Sequence, residues 1–515
     1  MHPDVIRNFA NQLASIKPTS IYAGQSTTKF PAGEQFAQVF FTVGWMTGNV
    51  GKPGANVSWI GPEPNFTAPL VTAGKYGDTV PVNPVYPDMI VFCADINTQR
   101  DWDCLEYSEA WQSIVDGEYG RDVWPGGKRP IDIRMIYHGH GHFLNSMPNA
   151  KAGIEAHRKV DFVMASCLNY NTNAHYADLV FPISTLWERH GQVFTDNREH
   201  VLWWQQVMEP LFESRADIDV AYGLAERLGL DPDEIYGNSW EQKAYNTLAG
   251  TQVIKRDGSG YEPLVTITAQ DIKDMGVEGE PQKGRITIEE FREKGIYKVP
   301  READDALMHI AHAAFIADPE ANPVATSTGK FEIYCPTLAA MVNQYGFSTI
   351  YPIGKYQEAE PDQGYHARTE EYPLILFTPH SLRRAHTNLD NVPALREAFP
   401  QECFMSVVDA EARGLKTDDV VLMSSPHGKV IRRVKVLPGM VPGAVALEDG
   451  AWIDIDNETG IDRSGNPNIL QAPRASGQGV QCWTGTLLQV EKYDGDLVAD
   501  YKRPAREIRF AKDSD

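Results

Sequence analysis

The chain has 515 residues, of which 42% are apolar, 10% aromatic and 23% charged, and its mean hydropathy is -0.36. That length corresponds to roughly three domains of ordinary size, and the composition excludes disorder as the main state. Lys and Arg number 47 against 69 Asp and Glu, a formal charge of -22, which opposes a phosphate-tracking surface and argues against nucleic acid as a partner. A nucleotide cofactor stays open, because backbone N–H groups and a few local arginines can hold a pyrophosphate inside an acidic protein.

The start, Met-His-Pro-Asp, has neither the basic region nor the apolar run of an export signal. The first helical stretch reads as if it entered mid-domain, so the chain is expected to be incomplete at its N-terminus. Thr19 to Gly24 is a short β-prone run, and Pro31 opens a helix with Phe36, Val39, Phe40 and Val43 at i, i+3, i+4, i+7 spacing that stops at Gly48. The most apolar stretch, Phe36 to Met46, is shorter than the about 20 residues a bilayer requires, so no direct membrane insertion is expected. Residues 61–87 read as loop, 89–94 as a buried strand and 106–115 as a helix. Strands follow at 131–137, 160–165 and 178–183, with a helix opened by Pro148 between the first two. Such alternation predicts a parallel sheet with right-handed crossovers, in which ligands sit beyond the carboxyl ends of the strands. The loops after Tyr137 and Ala165 are therefore the places to look for one.

Residues 231–345 are more polar and mixed, with helical patches expected over 303–315, and 355–372 read as a linker. Beyond it, strands at 374–378, 420–424, 430–437 and 444–447, with a helix over 409–413 closed by Gly414, predict a compact β-barrel-like unit. The fold class expected is α/β, with parallel-sheet domains at 1–125 and 126–360 followed by a C-terminal β-barrel at 361–515.

Three clusters carry chemistry. His138, Gly139, His140, Gly141 and His142 directly follow a strand. An extended H-x-H-x-H would put three imidazoles on one side for a metal, whereas the two glycines allow a tight turn whose backbone approaches a phosphate. The full G-x-G-x-x-G is absent, since Leu144 holds the third glycine position. The stretch Cys167 to Asp178 packs Asn and Thr donors between two strands and ends on a carboxylate, which could accept the N1 and N2 hydrogens of guanine or simply cap backbone N–H groups. Thr378 to Thr387, TPHSLRRAHT, concentrates donors after an apolar strand, as suits an anionic or heteroaromatic ligand; a solvated loop is the other reading. The six cysteines include no C-x-x-C, so neither a thiolate zinc site nor an iron–sulfur cluster is expected in this chain, nor a disulfide framework.

Taken in order, these segments resemble the molybdopterin oxidoreductases of the dimethyl sulfoxide reductase family. The resemblance rests on IYAGQSTTKFPAGEQ with MTGNVGKPGA, RMIYHGHGHFLNSMPN, NTNAHYADLVFPISTLWERHG, TPHSLRRAHT, DAEARGLKTDDVVLMSSPHGKV, and PGAVALEDGAW with NPNIL. It implies a bis(molybdopterin guanine dinucleotide) molybdenum enzyme in which α/β domains hold the dinucleotides and the barrel closes over the pterins. Carried over by position, Gly139, Gly141, His142, Ser166 and Asp178 would rim one dinucleotide site. Thr378, His380, Arg384, His386, Thr387, Asn468 and Thr484 would contact pterin from the barrel, with replacement of Arg384 disturbing function more than folding. His142 stands where relatives commonly have Asn, Ser166 where they have an acidic residue and Gln471 where they have Thr. The family's iron–sulfur cysteine motif and its molybdenum ligand both lie upstream of any segment matched.

The resemblance implies reduction of a small sulfoxide, N-oxide or similar substrate by oxygen-atom transfer, with an iron–sulfur electron-transfer subunit and a membrane anchor subunit as partners. The complete enzyme would lie in the periplasm or on the outer face of the cytoplasmic membrane. Two alternatives stand beside it: a metal-dependent hydrolase built on His138, His140 and His142, and a non-catalytic subunit that retains the fold.

Overall fold

The computed structural model describes residues 2–58, 70–74, 91–93, 104–189, 193–194, 199–232, 239–357, 365–477 and 479–495. The expected loop at 61–87 lies outside these apart from 70–74, and of the expected strand at 89–94 only Val91–Cys93 lies within them, as a strand. The chain folds as two units, one drawn from residues 1–24, 41–89 and 181–332 and the other from 25–40, 90–180 and 333–515.

The second unit contains both loops singled out above. Strand β1 (Met135–His138) pairs in parallel with β2 (Phe162–Cys167), His138 opposite Ala165, and β3 (Leu179–Pro182) completes a sheet of order β3-β2-β1. The crossover from β1 to β2 runs through the short helix α2 (Phe143–Ser146) and then α3 (Ala150–Lys159), which packs against α1 (Ala110–Asp116). Gly153 makes that approach possible: a Cβ there would lie 2.6 Å from Leu144 Cδ1 and 3.1 Å from the Trp111 ring. At the end of α1, Gly117 takes φ 74 and the Lys159 ammonium donates to the carbonyls of Ile114 and Val115, satisfying acceptors that a helix C-terminus leaves open.

The C-terminal strands are β4 (Leu374–Phe377), β5 (Glu402–Ser406), β6 (Val420–Ser424), β7 (Lys429–Leu437), β8 (Ala444–Leu447) and β9 (Leu487–Lys492). They hydrogen-bond in the order β5-β8-β4-β9-β6-β7, and β7 returns to pair in parallel with β5, closing a six-stranded barrel. Alternate residues fill it: Leu374 and Leu376, Cys403 and Met405, Val421 and Met423, Val445 and Leu447, Leu488 and Val490 are all buried, as period-two strands around a closed core require. Burial pushes the Cys403 thiol up to about 12, so this cysteine acts as a small apolar side chain. The helix after β5, α5 (Val407–Glu411), begins two residues earlier than its spacing predicts, because the Ser406 hydroxyl accepts the Asp409 N–H as an N-cap.

The first unit is built on small sheets, antiparallel and parallel, around Val201, Leu248, Val253, Leu264, Val265 and Phe291. Here the expectation of helix over 303–315 is corrected: the helix is only Ala313–Ala317. The Asp305 carboxylate accepts the N–H groups of Glu302 and Leu307 and pairs with Arg301, a local arrangement that competes with a helical ladder. Cys104 is disulfide-bonded, while Cys167, Cys335, Cys403 and Cys482 are outside any disulfide. Among the described residues no helix is long and apolar enough to cross a membrane.

Candidate functional site

The glycine turn grows out of the carboxyl end of β1. His138, the last residue of the strand, is buried and stacks on His157 of α3, ring centroids 5.0 Å apart and planes 8° from parallel. The His157 Nδ1–H donates to the Gly153 carbonyl at 2.6 Å, which leaves its Nε2 to accept from His138 Nε2–H at 2.7 Å. Burial holds both imidazoles neutral, His138 down to about 3 and His157 to about 4. His140 is exposed and turns its ring edge-on to Phe143, while His142 bonds through Nε2 to the Asn171 amide. Each of the three histidines thus has a different partner. The hydrolase alternative is corrected on this ground: the turn at Gly139 and Gly141 breaks the extended geometry that would have aligned the rings, and Gly141 takes φ 72.

The turn is buttressed by α4 (Thr172–His175), whose N-cap is Asn171. Asn173 donates to the Gly141 carbonyl at 2.9 Å, and Thr172 donates to Asn145 Oδ1 at 2.8 Å. Three buried polar atoms around the turn find no partner among the described residues: His142 Nδ1, Asn145 Nδ2 and Asn173 Oδ1. Burial also pushes His142 down to about 4, so its ring is neutral. Orphaned polar atoms of this kind cost about 1–3 kcal/mol each unless a ligand or water completes them. One donor, one acceptor and an imidazole nitrogen beside a glycine turn at a strand end fit a polar heterocyclic ligand.

The remaining candidates of this group fall in two places. Ser166 is level with the turn, since His138 stands opposite Ala165, and its hydroxyl meets the Tyr137 hydroxyl at 3.0 Å. Asp178 lies further down the sheet: its N–H donates to the Val163 carbonyl and its Oδ2 accepts the Val163 N–H, both at 2.8 Å. Three residues of strand separate Val163 from Ser166, about 10 Å.

In the barrel, the loop after β4 is organised around a buried carboxylate. Asp390 accepts from Arg383 at 2.8 Å, Arg384 at 2.9 Å and Arg396 at 3.3 Å, and also takes the Trp452 N–H. Arg384 donates in addition to the Asp449 carbonyl and to Gln401, and its side chain is fully buried. Its guanidinium therefore fixes the loop from beneath. Above it, Asp449 Oδ2 lies 3.3 Å from His380 Nδ1 and 3.2 Å from His386 Nδ1, and the ligand atoms of these three side chains all fall within 4.8 Å of one another. His386 holds φ 52, and Gly450 lies so close beneath it that a Cβ there would sit 1.8 Å from the His386 carbonyl. A strained residue over an obligatory glycine is how a loop presents side chains in a fixed place.

Thr378 and Thr387 are half-buried in the same loop, where the Thr387 carbonyl accepts from the Trp452 indole at 2.7 Å. Asn468 donates to the Asn145 carbonyl at 2.8 Å, tying the barrel to the glycine turn, and Thr484 donates to the Lys29 carbonyl at 2.6 Å. Sequence reasoning did not single out Asn145, Asp390, Asp449 or Gly450; only proximity in space marks them, although Asn145 stands in the quoted RMIYHGHGHFLNSMPN segment and Asp449 and Gly450 in PGAVALEDGAW.

Residues 7–227 match the family described as Molybdopterin oxidoreductase, and residues 374–482 match the Molydopterin dinucleotide binding domain. Over these two stretches the chain is similar to the molybdopterin oxidoreductases. The cofactor of these matches is a molybdenum-bis-pterin group. Dimethyl sulfoxide reductase DmsA of Escherichia coli is 28% identical over 505 residues, 95% of this chain and 55% of that protein. Dimethyl sulfoxide/trimethylamine N-oxide reductase of Rhodobacter capsulatus is 26% identical over 514 residues, 96% of this chain and 57% of that protein. The chain thus spans a little over half the length of these curated relatives. Acetylene hydratase from Pelobacter acetylenicus shares the fold, with a TM-score of 0.50 and 19% identity over 75% of this chain and 46% of that one.

Proposed function

We propose that the chain is the cofactor-binding portion of the catalytic subunit of a molybdenum oxidoreductase that reduces a small sulfoxide or N-oxide. The observation that carries this reading is the span of the match: curated relatives named for these two reductions align with 92–98% of the chain. The chemistry supplied by the bound group is transfer of an oxygen atom coupled to two electrons. What this chain's residues do is hold and orient it. Gly139, Gly141, His142 and Ser166 line one dinucleotide arm at the carboxyl ends of β1 and β2, with Asn145 and Asn173 completing its hydrogen bonds, and Asp178 receives guanine further along the sheet. Thr378, His380, His386, Thr387, Asn468 and Thr484 face pterin from the barrel, and Arg384 positions that loop from below. The domains divide at about residues 125 and 360, an iron–sulfur subunit and a membrane anchor pass electrons to the site, and the assembly works in the periplasm or on the outer face of the cytoplasmic membrane.

The test is the enzyme matured anaerobically in a host that makes the molybdenum cofactor. Bound molybdenum, guanine nucleotide released on acid hydrolysis, and turnover of dimethyl sulfoxide or trimethylamine N-oxide with an artificial electron donor are expected. Protein of normal stability without molybdenum or guanine would sink the reading. Asp178→Ala is expected to lower guanine nucleotide retention about tenfold or more, because a charge-assisted hydrogen bond contributes about 1.5–3 kcal/mol. Asp178→Asn, which keeps an acceptor for the Val163 N–H, separates that loss from simple weakening of the strand; unchanged retention in both variants would remove Asp178 from the site.

A further inference from the structure

A second feature of the barrel unit is a cavity of about 460 Å³ lined by Arg121, Phe347, Ser348, His427 and Arg474 among others. From its wall a line of hydroxyls leads inward. Ser348 Oγ lies 3.1 Å from Ser476 Oγ, and Ser476 Oγ lies 2.9 Å and 3.1 Å from the two carboxylate oxygens of Glu34. Ser476 is fully buried and Ser348 nearly so. Gly477 makes the approach possible: it holds φ 58, and a Cβ there would lie 2.5 Å from Glu34 Oε1.

The hydrogen-bond inventory of this line has two complete solutions. Two backbone donors are fixed, Ala32 N–H to Ser476 Oγ at 3.1 Å and Gly477 N–H to Ser348 Oγ at 3.4 Å. With Glu34 ionised, Ser348 donates to Ser476 and Ser476 donates to Glu34. With Glu34 protonated, every hydroxyl reverses: Glu34 donates to Ser476, Ser476 to Ser348, and the Ser348 hydrogen points to the cavity. Each hydroxyl has one donor and two acceptor positions, so both states are satisfied. Interconversion moves one proton between the carboxyl and the cavity with no movement of heavy atoms.

We propose that Glu34 is the proton-holding residue of the reduction and that Ser476 and Ser348 relay its proton to the cavity. This rests on the reading of function given above. Reduction of a sulfoxide consumes two protons and two electrons and yields a sulfide and one water: the S–O bond breaks, both protons end on the departing oxygen, and the electrons come from the reduced cofactor. The line delivers protons one at a time from Glu34 to the cavity, and between deliveries Glu34 is reloaded along the same line, in the reverse direction, from water in the cavity. Burial raises the Glu34 carboxyl above its ordinary value, opposed by its own backbone N–H and by Ser476. The titratable neighbour is Cys482, itself raised by burial and then by Glu34 and Glu106, with Lys29 and Arg474 the opposing cations. Glu106 is held well above the carboxylate range by burial. The surroundings thus favour a neutral carboxyl, the form that can donate.

Two variants and two readouts test the relay. Glu34→Gln keeps the shape but cannot release a proton, and Ser348→Ala cuts the line at the cavity while leaving Glu34 in place. In the cofactor-loaded enzyme both are expected to lower kcat at least about a hundredfold, the lower end of what a positioned proton donor contributes, with KM within about threefold and with Ser348→Thr restoring turnover. Independently of turnover, the protein should show the infrared C=O stretch of a protonated carboxyl that Glu34→Gln removes and that persists to higher pH than an ordinary glutamic acid. Wild-type kcat in Ser348→Ala, or no such band attributable to Glu34, overturns the proposal. If the wild-type enzyme reduces neither a sulfoxide nor an N-oxide, the reading of function falls, and the infrared band alone then decides whether Glu34 holds a proton.

Discussion

Asp390→Asn is expected to lower the unfolding free energy of the protein by about 3–5 kcal/mol, the range for breaking a buried ion pair from one side. The side chains of Arg383, Arg384 and Asp390 are 1%, 0% and 2% exposed, so neutralising the carboxylate takes away the counter-charge these two interior guanidiniums share, with Glu448 still 4.0 Å from Arg384. Against the total stability of an ordinary domain, about 5–15 kcal/mol, that is a large share. Urea midpoints of wild type and variant measure it, and a loss under about 1 kcal/mol would mean that the arginines find other partners. The same carboxyl sets an acid limit. Burial alone would raise it, but Arg384, Arg383 and Arg396 outweigh burial and hold it below its ordinary value of 3.8. A depressed carboxylate contributes stability that is full above its unfolded value, so this contribution is present at neutral pH and is lost as pH falls below about 4 toward the folded value. Arg384→Ala is expected to cost stability for the same reason. The sequence expectation that its replacement disturbs function more than folding gives way, because this guanidinium is committed to Asp390, Gln401 and the Asp449 carbonyl.

The stacked histidines give the second large effect, of opposite origin. His138, His142 and His157 are neutral in the folded protein, with values lowered from 6.5 to about 3, 4 and 4. Unfolded, they would take up protons near 6.5, so between that pH and about 4 the unfolded chain binds more protons and stability falls as pH falls. Each imidazole contributes a slope of about 1.4 kcal/mol per pH unit within the window, on the order of 3 kcal/mol across it for His157. His157→Phe, which keeps a flat ring against His138, is expected to make the decline shallower by about that slope. Denaturant midpoints at a series of pH values, wild type against variant, measure it; identical slopes would show that His157 charges freely in the folded state. Because the pair supports the residue from which the glycine turn departs, the same protonation would loosen the site.

Much of the architecture was legible in the chain. The strands at 420–424 and 444–447 fall where their apolar alternation places them, since period-two burial leaves its mark on any strand with one face in a core. The helix with Phe36, Val39, Phe40 and Val43 in its apolar spacing forms over Glu34–Met46. The short helix at 313–317 is the counter-example, because one carboxylate, Asp305, competes for backbone N–H groups that a propensity reading assigns to a longer helix.

The glycine turn, the Asn-rich loop and the TPHSLRRAHT loop were visible as concentrations of donors and, in order, as a family resemblance. Their partners were not. Asp390 lies six residues from Arg384 and reads as an ordinary loop acid until the barrel folds it beneath three guanidiniums. Asp449 stands 63 residues from His386 and meets it only because β8 lies beside β4. The line from Glu34 to Ser348 joins residues far apart in the chain that only the folded barrel unit brings together. Local interactions along the chain set periodicity, caps and turns, so sequence alone determined the element types, the barrel strands and the loops that carry polar groups. Burial and the direction of each side chain depend on which elements pack together, so only the tertiary structure decided which arginine supports the loop, which histidines are neutral and which carboxyl is placed to hold a proton.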